Sequence, residues 1–406
     1  MLKEWDEIEL NEYSYVKGYP FKSEDYKKNG TRIIRVSDIG ENNLKNNAPV
    51  FISTKLKNKY NKWALDINNI IITTVGSKPP MYESIVGKSL RINNDCIGML
   101  LNQNNVLLKI SDDDLSKLVY ENLKSKRYFK YINEIYRGNA NQASININEL
   151  FKYKVLIPKS SEERHLIASL FCNVDNLIDS LQMLINKKEK IMNKTVDEKI
   201  KEYNQHSKKY SLSQICDHYG GISLEEYVTS NGKYKFISIG NYLSNGKYYD
   251  NNQRINSTGK ASNKILHKDD LVMVLNDKTQ NGNIIGSTIL IEADDKYIYN
   301  QRSERIVCNK DIIFPKYLWI YLNSSIKRKE IFDLSQGGTQ IYVNFNKIYK
   351  TSISVPSKTE QEEFIHLVDN MDNEINLLNK KLSKYKKIKS GMLEDLLTGK
   401  VRLSYE

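Results

Sequence analysis

A chain of 406 residues is long enough for two or three domains, and its net charge of +12 with a pI near 9.1 suits a nucleic acid, an anionic membrane or an acidic partner. No apolar run reaches the ~18 residues that a membrane helix needs, and the start, Met1 to Asp6, has no signal-peptide core, so a cytoplasmic protein is expected. Four dispersed cysteines (Cys96, Cys172, Cys216, Cys308) form no CxxC pair and the five histidines have no metal-ligand spacing, which speaks against a disulfide framework and a zinc site.

In chain order, the first strand signal is Arg32–Ile39, where β-branched residues alternate and small polar ones close the run. Asn69–Gly76 reads as a short buried strand, and Ser84–Gly87 carries another apolar run ending in glycine. Asp113–Tyr136 has the apolar and aromatic spacing of a helix. A glycine-bearing turn follows at Arg137–Gln142, then Pro158, after which Ser160 and Glu163 have the spacing of a helix-starting capping box. Neither Gly nor Pro occurs between Lys159 and Tyr219, and Ile178, Leu181, Ile185 and Met192 recur at heptad-like spacing, with Lys188 as one polar interruption.

The same series then repeats. Tyr234–Tyr242 matches the first strand segment, with Ile237 on Ile34; Asp270–Asn276 matches the second, and Asn283–Gly286 the apolar run. Pro315–Leu334 is again helical in pattern, and Ser335–Gln340 is again a glycine-bearing turn. Gln142 and Gln340, Asn146 and Asn344, Asn148 and Asn346, and Pro158 and Pro356 coincide. A second long helix is expected from Thr359 and Glu362, with Ile375, Leu378, Leu382, Tyr385 and Met392 on its seam and Lys389 as the interruption. Each helix would be roughly 40 residues and about 60 Å long, and a helix of that size has no core of its own, so the two copies are expected to pack together as a spacer.

Catalytic chemistry is not evident. Lys78-Pro-Pro-Met81-Tyr82 only superficially resembles an amino-methyltransferase motif, because a lysine cannot accept a bond from a target amine. No glycine-rich cofactor loop or phosphate-binding loop occurs, and Asp197-Glu-Lys199 is a solvated stretch of helix. The polar segments suit DNA instead, since Arg and Lys can donate to guanine and Asn and Gln can pair with adenine. Candidate DNA contacts are Arg32, Arg35, Ser37, Lys78, Arg137, Asn139 and Gln142 in the first half. In the second half they are Lys235, Ser238, Lys278, Gln301, Arg302, Gly338, Thr339 and Gln340. The divergent loops Glu41–Pro49 and Asn245–Ala261 would carry specificity. The six lysines of Lys380–Lys389 read as a solvated helix face.

The duplication, the paired segments Ile157–Arg164 and Val355–Phe364, the Gly-Gly-Thr-Gln340 turn and the ending Gly391–Leu403 resemble the specificity subunit of type I restriction–modification enzymes. The resemblance implies an α+β architecture with two β-rich target-recognition domains, residues 1–157 and 206–356. They would be separated by long helices, residues 158–205 and 357–406, packed as an antiparallel coiled coil. Each domain would read one half of a split, asymmetric site in double-stranded DNA. The helices, marked by Ile178, Leu181, Ile185, Ile375, Leu378, Leu382 and Leu396, would set the spacing and dock two methyltransferase subunits. Those subunits would bring S-adenosylmethionine and adenine-N6 chemistry, and motor–nuclease subunits ATP and Mg, leaving this chain without cofactor, metal or catalysis. One departure is Gly138-Asn-Ala-Asn-Gln142 against Gln336-Gly-Gly-Thr-Gln340. The competing readings are a free-standing basic coiled-coil adaptor for nucleic acid or protein, and a methyltransferase with a disguised motif.

Overall fold

The computed structural model describes residues 4–77, 86–139 and 142–404, and the chain forms two compact units: Met1–Gln182 with Lys381–Glu406, and Met183–Lys380. In the first unit a four-stranded sheet runs in the order Ser14–Lys17, Asn105–Lys109, Ile70–Thr73, Ser89–Arg91. A smaller sheet runs Val50–Ile52, Thr31–Ile34, Leu100–Leu101, its last pair parallel. The run Ile70-Ile-Ile72 does not alternate with polar residues because both faces of its strand are covered. Ile70 and Ile72 pack with Leu118, Val119 and Tyr128, while Ile71 packs with Ile34, Leu90 and Leu107.

The second unit repeats this plan. Its main sheet runs Cys216–Gly220, Ser303–Cys308, Leu271–Val274, Thr288–Leu290, and Tyr234–Ile237 pairs in parallel with Tyr297–Tyr299 in a second sheet. Leu271 and Met273 face one core and Val272 and Val274 the other. The helical stretches are each broken in two, into Asp113–Asn122 and Lys126–Ile135, and into Pro315–Asn323 and Ser325–Asp333. The break has the same cause in both. Ser125 Oγ accepts from the Tyr128 N–H and Ser324 Oγ from the Lys327 N–H, each capping a new helix.

The long helices are Ser161–His206, 46 residues, and Lys358–Asp395, 38 residues. Their segments run antiparallel in each unit. In the first, Lys389 meets Asp175; in the second, Lys188 pairs with Glu374 at 2.7 Å and Tyr203 packs on Phe364. Ile178, Leu181, Ile185, Ile375 and Leu382 are buried and Leu378 is half-buried. Leu396 lies past the helix end, where it joins Leu397 in the core of the first unit.

Two local expectations are corrected. The second helix begins with Ser357 and Glu360, not Thr359 and Glu362: the Ser357 N–H and Oγ donate to the Glu360 carboxylate at 2.8 and 2.7 Å. The strand Ser352–Val355 delivers the chain to Pro356, so the first competent serine caps and Thr359 already lies inside the helix. Lys389, read as part of a solvated face, is half-buried and paired in a cluster with Lys117, Glu121 and Asp175. The seam's polar interruption is therefore a paired charge.

Candidate nucleic-acid interface

At one end of each main sheet two exposed turns flank the short strand that continues the central one. In the first unit the central strand Ile70–Thr73 is followed by Val75–Gly76, which pairs with the hairpin Arg137–Asn139 and Gln142–Ser144. On the strand's other side the Thr74 N–H donates to the Asn104 carbonyl at 2.9 Å, within the turn Asn102–Asn105. In the second unit Asn276–Asp277 pairs with Ile341–Tyr342, and the Leu275 N–H donates to the Arg302 carbonyl at 3.0 Å, within the turn Asn300–Ser303.

Glycines fix both frames identically. Gly138 and Gly337 have φ of +116° and +117°, and a Cβ there would lie 2.4 Å from the Gln142 carbonyl oxygen and 2.1 Å from that of Gln340. Only glycine tolerates both conditions. Gly138 is thus the counterpart of Gly337 rather than of Gln336, and the first hairpin is one residue longer. On the neighbouring turn, a Cβ on Gly18 or Gly221 would come within 1.9 Å of the Asn102 or Asn300 carbonyl oxygen. Asn146 and Asn344, coincident in sequence, have equivalent structural duties: each side chain caps a short helix by accepting from the N–H two residues on.

The arrangement gathers Arg137 and Gln142 near Gln103 and Asn104 in the first unit, beside a shallow hollow lined by Lys17, Thr74, Ser144 and Asn146. In the second unit it gathers Lys278, Gln301, Arg302, Gly338, Thr339 and Gln340. Of these, Gln142, Lys278, Gly338, Thr339 and Gln340 are exposed, and Arg137 is ion-paired to Glu149 at 2.8 Å while largely exposed. Gln301 donates to Glu225 at 3.3 Å. Hydrogen bonds from Asn300 and the turn hold that Glu225 carboxyl down at about 2. The backbone of Asn139 opposes that of Gln142 in the hairpin, and Lys78 lies outside the described residues.

Arg32, Arg35, Ser37, Lys235 and Ser238 lie on the smaller sheets or the turns just after them, and most are engaged within the chain. Arg35 makes a fork with Asp38 at 3.0 and 3.1 Å and donates to the Ala48 carbonyl. Arg32 donates to Lys45 O and Asn46 Oδ1. Lys235 pairs with Asp250 at 3.1 Å, and the single Ser238 hydroxyl proton lies within reach of Asn241 Oδ1 at 3.0 Å and Gln253 Oε1 at 3.2 Å. These groups fasten the loops Glu41–Pro49 and Asn245–Ala261 to their sheets; Ser37 alone among them is exposed. Gln103 and Asn104 are the residues that sequence reading overlooked. Their signal is positional: Gln103-Asn104 stands where Gln301-Arg302 stands, just after a strand and with the same spacing from the hairpin glutamine as its counterpart.

Among the described residues no group of three His, Cys, Asp or Glu could hold a metal ion, and no helix is long and apolar enough to cross a membrane. A family model described as the type I restriction modification DNA specificity domain matches residues 2–190 and again 204–387. The chain is 26% identical over 275 residues to the type I restriction enzyme MjaVIII specificity subunit of Methanocaldococcus jannaschii, an alignment spanning 62% of each protein. It is 24% identical over 393 residues to the putative MjaX specificity subunit of the same organism, spanning 93% of this chain and 88% of that one. The type I restriction–modification S subunit from M. genitalium has a similar fold, with a TM-score of 0.54 and 15% identity over 97% of this chain and 96% of that one. So does a chain from a structure of type I R-M complex assembly and conformational transition, with a TM-score of 0.57 and 12% identity over 97% and 98%.

Proposed function

The chain belongs to the family of type I restriction–modification DNA specificity domains, carrying two of them, and from that premise we propose that each unit reads one half of a split DNA site. The observation that carries this reading is the repeated pair of turns. The same glycine-fixed backbone presents Gln103-Asn104 and the Gln142 hairpin in one unit, and Gln301-Arg302 and the Gln340 hairpin in the other. A shared scaffold with different polar side chains is what two readers of different half-sites require.

Residues 1–157 and 206–356 act as the target-recognition domains, and residues 158–205 and 357–406 as the helices that set the gap and dock two methyltransferase subunits. A helix of 46 residues is about 69 Å long, on the scale of two turns of duplex DNA. Lysines and arginines supply affinity that is blind to sequence and falls with salt, while a few side chains per unit choose bases. The chain performs no chemistry itself. S-adenosylmethionine belongs to the methyltransferase subunits and ATP with Mg to motor–nuclease subunits. The test is to exchange residues 206–356 for the equivalent domain of a relative, co-express with the methyltransferase subunit, and map N6-methyladenine. One half of the motif should change; a motif altered in both halves would refute independent reading.

A further inference from the structure

Arg302 stands apart from every other arginine of the chain. Of eleven arginines, the other ten each donate to a carboxylate or carbonyl oxygen within the chain. In its own unit Arg254 binds Asp250, Arg305 binds Asp270 and Arg328 binds two backbone carbonyls. The half-buried Arg302 side chain has no hydrogen bond or ion pair among the described residues. A guanidinium whose five donors meet solvent rather than a partner within the described residues is open to an external acceptor.

Its backbone, by contrast, is held firmly. The Arg302 carbonyl accepts from Leu275, the Gly221 N–H donates to Ser303 O at 3.0 Å, and Gly221 packs directly on Asn300 O. The same three restraints hold Asn104 in the first unit: Thr74 donates to its carbonyl, Gly18 to Asn105 O, and Gly18 packs on Asn102 O. Positions 104 and 302 are therefore one site built twice, preceded by glutamine both times, and filled once by Asn and once by Arg.

We infer that Asn104 and Arg302 are specificity-determining residues, Arg302 selecting a G·C pair in the half-site of the second unit and Asn104 an A·T pair in that of the first. This deepens the reading of the chain as a DNA specificity subunit and rests on it. The planar guanidinium fork matches guanine O6 and N7, and a carboxamide matches adenine N6 and N7. A phosphate contact explains the pair less well. Asn carries no charge to offer a phosphate, yet it holds the equivalent place on an equally rigid turn.

The experiment uses the full chain co-expressed with its cognate methyltransferase subunit, reading N6-methyladenine across the genome for wild type, Arg302→Ala, Arg302→Lys and Asn104→Arg. Arg302 has no partner to lose among the described residues, so its variants should fold. Arg302→Ala is expected to leave the first half-site intact and relax one guanine of the second, with discrimination there falling roughly 10- to 100-fold. Arg302→Lys should restore it only in part, because an ammonium can donate to guanine but lacks the planar fork. Asn104→Arg should bring a guanine into the first half-site. Uniform loss of methylation over an unchanged motif, rescued by Arg302→Lys, would identify a phosphate contact and overturn the inference, as would an unchanged methylome. A wild-type chain that directs no split motif would instead overturn the specificity-subunit reading beneath it.

Discussion

Replacing Lys389 with Met removes one charge from a closed cluster in the first unit. Lys117 lies 2.9 Å from Glu121 and 2.5 Å from Asp175, and Lys389 lies 2.6 Å from Asp175. Lys389 Nζ is also 3.0 Å from Glu121 Oε2, at ion-pair distance although that oxygen accepts no hydrogen bond. Glu121 is fully buried and the other three side chains are no more than 18% exposed, so two positive and two negative charges balance out of solvent. Lys389→Met leaves two carboxylates sharing one lysine, and breaking a buried pair in this way costs about 3–5 kcal/mol. Lys389→Met with Asp175→Leu restores neutrality with the Lys117–Glu121 pair intact, and should recover roughly 1–3 kcal/mol of the loss.

The assay is hydrogen exchange against urea, followed at Asp113–Asn122 in the first unit and Leu271–Val274 in the second, because a chain of two units has no single unfolding free energy. A loss below about 1 kcal/mol in the first unit, or a double variant no better than the single one, would refute the reasoning. The pH dependence has a definite sign. Burial pushes the Asp175 carboxyl up, but Lys117 and Lys389 outweigh it and hold the group below its ordinary value. The stability this contributes is complete above the unfolded pKa and is lost as pH falls through the depressed folded value, below about pH 4.

Other substitutions probe the remaining parts. Gly337→Ala forces a Cβ within 2.1 Å of Gln340 O at a φ of +117°, a local cost of about 1–3 kcal/mol that should blur the second half-site and leave the first; methylome mapping checks this. Arg402→Ala removes the two bonds, at 2.7 and 2.8 Å, that its guanidinium gives the buried Glu163, and should lower the urea midpoint of the first unit while leaving that of the second unchanged. Adding one helical turn within Met183–Val196, with a matching turn in the facing helix, should lengthen the tolerated DNA spacer by one to two base pairs, from ~5.4 Å per turn, with both half-sites unchanged. Altered half-sites would sink that idea.

The parts legible in the sequence are those with local or periodic causes. The repeat, the two long helices and the central strands follow from Pro, Gly and apolar spacing. The positions of Ser357 and Thr359 show the limit: two overlapping Ser/Thr-x-x-Glu patterns compete, and the strand before them decides between them. Lys389 looked solvated because its acidic partners are distant in sequence, Glu121 on another helix and Asp175 on the facing one. Arg35 shows the same difficulty at short range, since a free arginine and one clamped to an acid three residues on read alike. Within the candidate interface the hairpin glutamines were visible as repeats. Gln103 and Asn104 are harder to see, because a tight turn has no period, and their spacing from the hairpin glutamine gains meaning only once the bonds from Thr74 to Asn104 and from Leu275 to Arg302 show the two turns to be equivalent.

The most direct measurement is the genome-wide N6-methyladenine map of cells carrying this chain with its cognate methyltransferase subunit, against cells carrying the methyltransferase subunit alone. Two unrelated half-sites at a fixed separation, present only when this chain is present, is the predicted result. Methylation at one continuous motif, or a map indifferent to the chain, would contradict the account of two readers held apart by paired helices.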